Sequence, residues 1–238
     1  MMFKSKNSNR SGEDYWIALS DIMTALMLLF LLISVVYMIK VEDSVKIPKI
    51  FKETSQGLSD RLNKEFQKDL HAWGAVIDTD LTIRFAQPDI LFSTGSSMLS
   101  PKFKQILDQF FPRYLAIMMQ NEFINNIEEI RIEGHTSSFW GQNSNPNEAY
   151  LKNMALSQER TRAVLEYLIN NPLLKNDQKE WLKKHFRAIG FSSARLLNSN
   201  SQPVLDISQE DPNKSQRVEF RVRTNIEQKV ADVIKNNS

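Results

Sequence analysis

Hydrophobic and polar positions divide the chain into three regimes. Residues 14–40, "DYWIALSDIMTALMLLFLLISVVYMIK", are almost continuously apolar, with Asp21 left inside the run. As a helix rising about 1.5 Å per residue, the 23 residues Ile17 to Ile39 span roughly 34 Å, enough for a hydrocarbon core of about 30 Å. Residues 40–74 alternate in charge instead, with Pro48 and Gly57 as interruptions, the pattern of a solvated, partly helical linker. From residue 75 to 225 period-two alternation appears in "LTIRFA", "EEIRIEGHT" and "QRVEFRVRT", the last placing Val218, Phe220 and Val222 opposite Glu219, Arg221 and Arg223. Between these strands lie helical patterns at 101–120, broken or kinked at Pro112, at about 154–171, and near 176–185. Strands alternating with helices predict a two-layer α/β (α+β) sandwich. Residues 1–16 and 226–238 remain as tails.

Composition sharpens this division. Thirty basic against 28 acidic side chains leave a formal charge of +2, which gives no polyanion-binding signature and no expectation of direct nucleic-acid contact. Zero cysteines exclude a disulfide framework, a thiolate metal site and cysteine redox chemistry. A negative mean hydropathy beside the apolar run confines the hydrophobicity to one segment. The run is long for a signal-peptide core and no A-x-A-like cleavage site follows it, so it reads as an uncleaved anchor. Lys4, Lys6 and Arg10 precede it about as densely as Lys40, Lys46, Lys49 and Lys52 follow. Charge therefore sets no orientation, although a long C-terminal domain is free to be exported.

Asp21 has two readings. It marks the start of the span in the headgroup layer, or it carries an ion. Tyr15 and Trp16 resemble the interfacial anchors and put Asp21 more than a turn inside them, with Ala18, Thr24 and Ala25 on its face. Such a small, faintly polar face suits another helix better than lipid, and ionisable groups in spans usually mark ion pathways. Ion carriage is the preferred reading.

Catalytic signatures are missing from the sequence: no Walker loop, dinucleotide-binding glycines, nucleophile elbow or HExxH. His71, His135 and His185 have no ligand-like spacing, so neither an enzyme nor a metal site is expected. His135 reads as a hydrogen-bonded structural histidine.

"LFSTGSSMLSP", "IRIEGHTSS", "NMALSQERTRAVLEYL" and "NKSQRVEFRV", in that order, resemble the peptidoglycan-binding domain of OmpA-like and MotB-like proteins over about residues 75–225. The resemblance implies a βαβαββ-type fold in which the loop after the "GHT" strand and the helix beginning near "LS" hold the peptide stem of peptidoglycan. It assigns Arg160 to the diaminopimelate carboxylate, Asn153, Leu156 and Ser157 to the pocket before it, Thr136 and Ser137 to the loop, and Arg217 to the last strand. A guanidinium fork suits bidentate carboxylate recognition. The family usually carries Asp where this chain has Ser137, to meet the ligand's ammonium group; Glu148, in the long loop "SSFWGQNSNPNEAYLK", is one candidate replacement.

Together with "DYWIALSDIMTALMLLFLLISVVYM" these motifs are most similar to the ZorB family, the MotB-like subunits of Zorya anti-phage defence systems. That similarity implies a homodimer in the inner membrane, two copies of the span inside a MotA-like ZorA ring, and a periplasmic domain gripping the wall. It also implies proton or sodium transport at Asp21 with no other cofactor, and cytoplasmic defence effectors reached indirectly. A flagellar MotB-type stator and a passive OmpA-like anchor are the alternative readings.

Overall fold

The computed structural model describes Arg10–Gly141 and Ser144–Asn225; residues 1–9, Gln142, Asn143 and the expected tail 226–238 lie outside the described residues. In chain order the elements are α1 (Arg10–Phe66), α2 (Leu70–Trp73), β1 (Ala75–Ile77), β2 (Thr82–Phe85), α3 (Pro88–Leu91), α4 (Pro101–Met118), β3 (Ile127–His135), α5 (Pro146–Ile169), α6 (Asn176–His185), β4 (Phe186–Gly190), β5 (Leu196–Leu197), β6 (Pro203–Val204), α7 (Pro212–Ser215) and β7 (Arg217–Thr224). Contacts divide the chain into two compact units, Met1–Ile50 and Phe51–Ser238. The first holds the stretch Tyr15–Val41, long and apolar enough to cross a membrane, none of which the chain itself covers.

The second unit is built on a five-stranded sheet in the order β1-β2-β7-β3-β4. Strand β7 lies antiparallel between β2 and β3, whereas β3 and β4 are parallel, as the long crossover through α5 and α6 requires. The succession β2-α4-β3-α5-β4-β7 is the βαβαββ order, with β1 added at one edge and the β5-β6 hairpin inserted before β7.

Alternation in β7 has the expected inward set: Val218, Phe220 and Val222 are all buried. Phe220 sits 5.2 Å from Phe110, 6.0 Å from Phe85 and Tyr114, and 6.3 Å from Phe111 by ring centroids. These rings lock α4 onto the sheet through edge and tilted packing. Helix α4 starts at Pro101 behind an N-cap in which Ser100 Oγ accepts from Phe103 N at 2.9 Å, and it runs unbroken through Pro112.

Two boundaries differ from the sequence reading. The expected linker is not all connector: α1 is helical through Pro48 and Gly57 to Phe66, and Leu58, Leu62 and Phe66 are buried in the core. Their i, i+4, i+8 spacing forms one apolar stripe that the interleaved charges obscure. Arg113 of α4 fixes this stripe, with Nε 2.6 Å from Glu65, Nη1 2.8 Å from Asp69, and its guanidinium 4.9 Å over the Phe66 ring. Helix α5 likewise begins at Pro146, two turns before the expected 154. Asn145 caps it by accepting from Glu148 N at 2.9 Å, and Pro146 occupies the first turn, a start signal hidden in a run of loop-type residues.

Candidate functional site

The site forms where α5 comes down on the ends of β3 and β4. Gly134 and Gly190 are register partners there. A Cβ on Gly134 would lie 2.7 Å from Ser157 O, and one on Gly190 would lie 2.5 Å from Gln158 N. Glycine at both positions lets the helix backbone approach the strands directly, which fixes Ser157 and the turn that follows it.

Ser192 secures this junction. It adopts a left-handed backbone with φ 53° and is fully buried. Its N–H donates to Ser157 Oγ at 3.0 Å, its Oγ donates to Tyr150 O at 2.7 Å, and its carbonyl accepts from Thr136 N at 2.9 Å. One serine thus joins α5, the loop after β4 and the loop after β3.

Asn153, Leu156, Ser157 and Arg160 fall at i, i+3, i+4 and i+7 along α5 and share a face. Asn153 Nδ2 donates to Phe139 O at 3.3 Å, and Leu156 is half-buried. Arg160 is only 6% exposed. Its Nε donates to Ser96 O at 2.9 Å and its guanidinium lies 4.8 Å over the Phe92 ring. No carboxylate pairs with it among the described residues. Burial lowers its pKa to about 10, the sign of a cation held out of water without a counter-charge.

The loop after β3 completes the wall. Thr136 Oγ1 is buried and has no hydrogen-bond partner, and Ser137 is 7% exposed. Ser138 donates from its N–H to both oxygens of Glu210, at 3.1 and 3.3 Å, and from its hydroxyl to the same carboxylate. Glu148 is exposed and its carboxylate is 2.6 Å from Lys152 Nζ.

Arg217 belongs to a different environment. It is buried on the outward face of the sheet, with Nε 2.6 Å from Glu219 and Nη1 donating to the carbonyls of Arg195 and Ser215. That face carries a network of paired charges. Glu133 is 3.2 Å from both Arg195 and Arg221, and Glu219 is 3.2 Å from Arg84. His135 sits between the carboxylates, its Nε2 3.5 Å from Glu219 and 3.8 Å from Glu133, and stacks on Phe191. These distances exceed a normal hydrogen bond, so burial dominates and lowers the His135 pKa to about 4. Burial alone would raise the Glu219 carboxyl, but His135 and Arg217 hold it well below its ordinary range.

Glu133, His135 and Glu219 bring one ligand atom each within 4.8 Å of one another. The surroundings do not suit a cation: Arg84, Arg195, Arg217 and Arg221 already balance Glu133, Glu219, Asp78 and Asp80. The structure therefore gathers Thr136, Ser137, Asn153, Leu156, Ser157 and Arg160 at one junction and commits Arg217 to the network. Ser192, Glu210 and the Gly134–Gly190 pair were not legible as site residues; only the glycines, both at strand ends, left a trace in the sequence.

The model of the OmpA family matches residues 91–209. The chain is 44% identical over 228 residues to the Zorya protein ZorB of Escherichia coli strain Crooks, covering 93% of each chain. It is 26% identical over 213 residues to a Zorya protein ZorB of Escherichia coli O139:H28, covering 84% of this chain and 82% of that one. Among solved structures, a putative MotB like protein from Desulfovibrio vulgaris superposes with a TM-score of 0.48 at 18% identity, covering 72% of this chain and 95% of that one.

Proposed function

The chain belongs to the ZorB family of Zorya proteins and contains an OmpA-family domain, and from that membership we propose that it is a single-pass inner-membrane subunit that anchors an ion-driven, stator-like complex to peptidoglycan in anti-phage defence. Arg160 is the observation that supports this most. A buried guanidinium with no carboxylate partner among the described residues is a costly arrangement, and it becomes favourable when a ligand carboxylate docks bidentately. The family resemblance supports the diaminopimelate of the peptidoglycan stem as the source of that carboxylate.

In this reading two copies of α1 stand inside a MotA-like ZorA ring, with the N-terminus cytoplasmic and the C-terminal domain periplasmic. Asp21, within the apolar stretch Tyr15–Val41, takes up and releases a proton or sodium ion. Neutralising it changes its interaction with the ring and permits a rotation step. One charge moved through 100 mV is worth about 2.3 kcal/mol, and wall anchorage holds one part still while the other turns. Effectors in the cytoplasm respond to the ring, not to this chain directly.

The anchoring half is tested by retention of the detergent-solubilised full chain on purified sacculi. Arg160→Ala should lower retention by at least about tenfold, the loss of a charge-assisted bidentate pair. Retention equal to that of the unaltered chain rejects the assignment.

A further inference from the structure

A groove of about 880 Å³ borders every residue of β1. That strand is an edge of the sheet, at the end opposite β4, so the groove lies away from the junction of α5 with β3 and β4. The register of β1 on β2 shows which backbone groups face outward. Asp78 N donates to Thr82 O at 2.8 Å and Ala86 N donates to Gly74 O at 3.3 Å, so the even-numbered positions bond β2. In an antiparallel pair the intervening residues turn their N–H and C=O the other way. Those residues are Ala75 and Ile77, and their backbone groups have no hydrogen-bond partner among the described residues. An unpaired edge of this kind is a template for one more strand.

The charges lining the groove narrow the occupant. Arg84 is ion-paired with Asp78, and Arg221 with Asp80. Lys214 of α7 also lines the groove; it is half-buried and has no carboxylate partner among the described residues. One positive charge is therefore left over, and a carboxylate placed on it would need no existing pair to open. Gln87 and Gln202 add amide donors and acceptors, and Val76, 48% exposed, adds apolar surface. A free anion would use Lys214 and nothing of the edge. An extended peptide carrying an acidic side chain uses both, its main chain on β1 for affinity and its carboxylate on Lys214 for specificity.

We propose that this groove is a docking site for an acidic, extended segment of a partner protein, which adds to the sheet beside β1 and sets a carboxylate on Lys214. The inference is independent of the wall-anchoring reading, because the groove shares no residue with the Arg160 junction.

The test follows binding of dye-labelled peptides to the full chain in detergent micelles. The probes are short, capped peptides of alternating valine and threonine in which a single aspartate is moved along the sequence. The unaltered chain should bind the best placed of them about tenfold or more tightly than its asparagine counterpart, the scale of one charge-assisted hydrogen bond. Lys214→Gln should erase that difference. N-methylating the backbone amides of the aspartate peptide should weaken its binding to the unaltered chain by a further factor of about ten or more, since a methylated amide cannot donate to the β1 edge. Arg160→Ala should bind as the unaltered chain does. No binding, no difference between aspartate and asparagine, or a difference that survives Lys214→Gln overturns the proposal. So does full binding of the N-methylated peptide, which makes the contact one of charge alone, and loss of binding in Arg160→Ala, which places the probe at the other site. Displacement by glycan strands stripped of their stem peptides makes the groove a carbohydrate site, and a signal that falls as the chain is concentrated makes a second copy the occupant; either result also overturns it.

Discussion

His135 shows how a single side chain couples this fold to pH. An unfolded histidine takes up its proton near pH 6.5, the folded one only near 4. Between those values the unfolded chain binds more protons, so lowering the pH favours unfolding. The stability this histidine contributes is complete above about pH 6.5 and is lost through the window down to about 4, a total of about 3 kcal/mol. Glu219, held below the ordinary carboxylate range by His135 and Arg217, acts in the same direction: its contribution is present above the unfolded carboxylate pKa and disappears further into acid. The unfolding midpoint of the detergent-solubilised chain should therefore fall steeply between pH 6.5 and 4, and His135→Gln should flatten that slope. A midpoint independent of pH across the window counts against this account. The sequence reading of His135 as structural agrees with its burial, but the expected hydrogen bond is absent: both ring nitrogens lack a partner.

Among the elements, those with a clean period were legible and those whose signal depends on distant partners were not. Strand β7 could be read because Val218, Phe220 and Val222 alternate with charged positions. The last turns of α1 could not, because Leu58, Leu62 and Phe66 stand among charges, and only docking against α4 shows that they are core. Leu62→Ala should consequently cost about 2–5 kcal/mol, as for a fully buried leucine, where a solvated linker position would cost almost nothing. Urea denaturation followed by tryptophan fluorescence reads the difference, and a loss below about 0.5 kcal/mol, the usual range for surface positions, would return this segment to the linker. Within the site, the helix-face residues of α5 were visible only through the family resemblance. Ser192 and Glu210 were invisible because each acts through contacts with segments remote in sequence, which no local pattern encodes.

For the whole molecule, the proposed function divides between two units, the apolar stretch with Asp21 in one and the Arg160 junction in the other. Phage plaquing on cells carrying the complete system tests the first. Asp21→Asn should abolish protection while membrane levels of the protein, checked by blot, stay normal. Preserved protection would make Asp21 a boundary residue and favour the passive anchor; a motility defect without a defence defect on deleting the chain would favour a flagellar stator. Anchorage also places a mechanical demand on the second unit. A pull exerted by the wall would enter at Arg160 and travel along α5, which rests on bare backbone at Gly134 and Gly190. The Thr161, Ser157 and Gln158 side chains already fill the space beside the two glycines, so little of that force would be absorbed by local yielding. It would pass into β3, which is hydrogen-bonded on both sides by β4 and β7, so the tether would be stiff at the proposed wall contact.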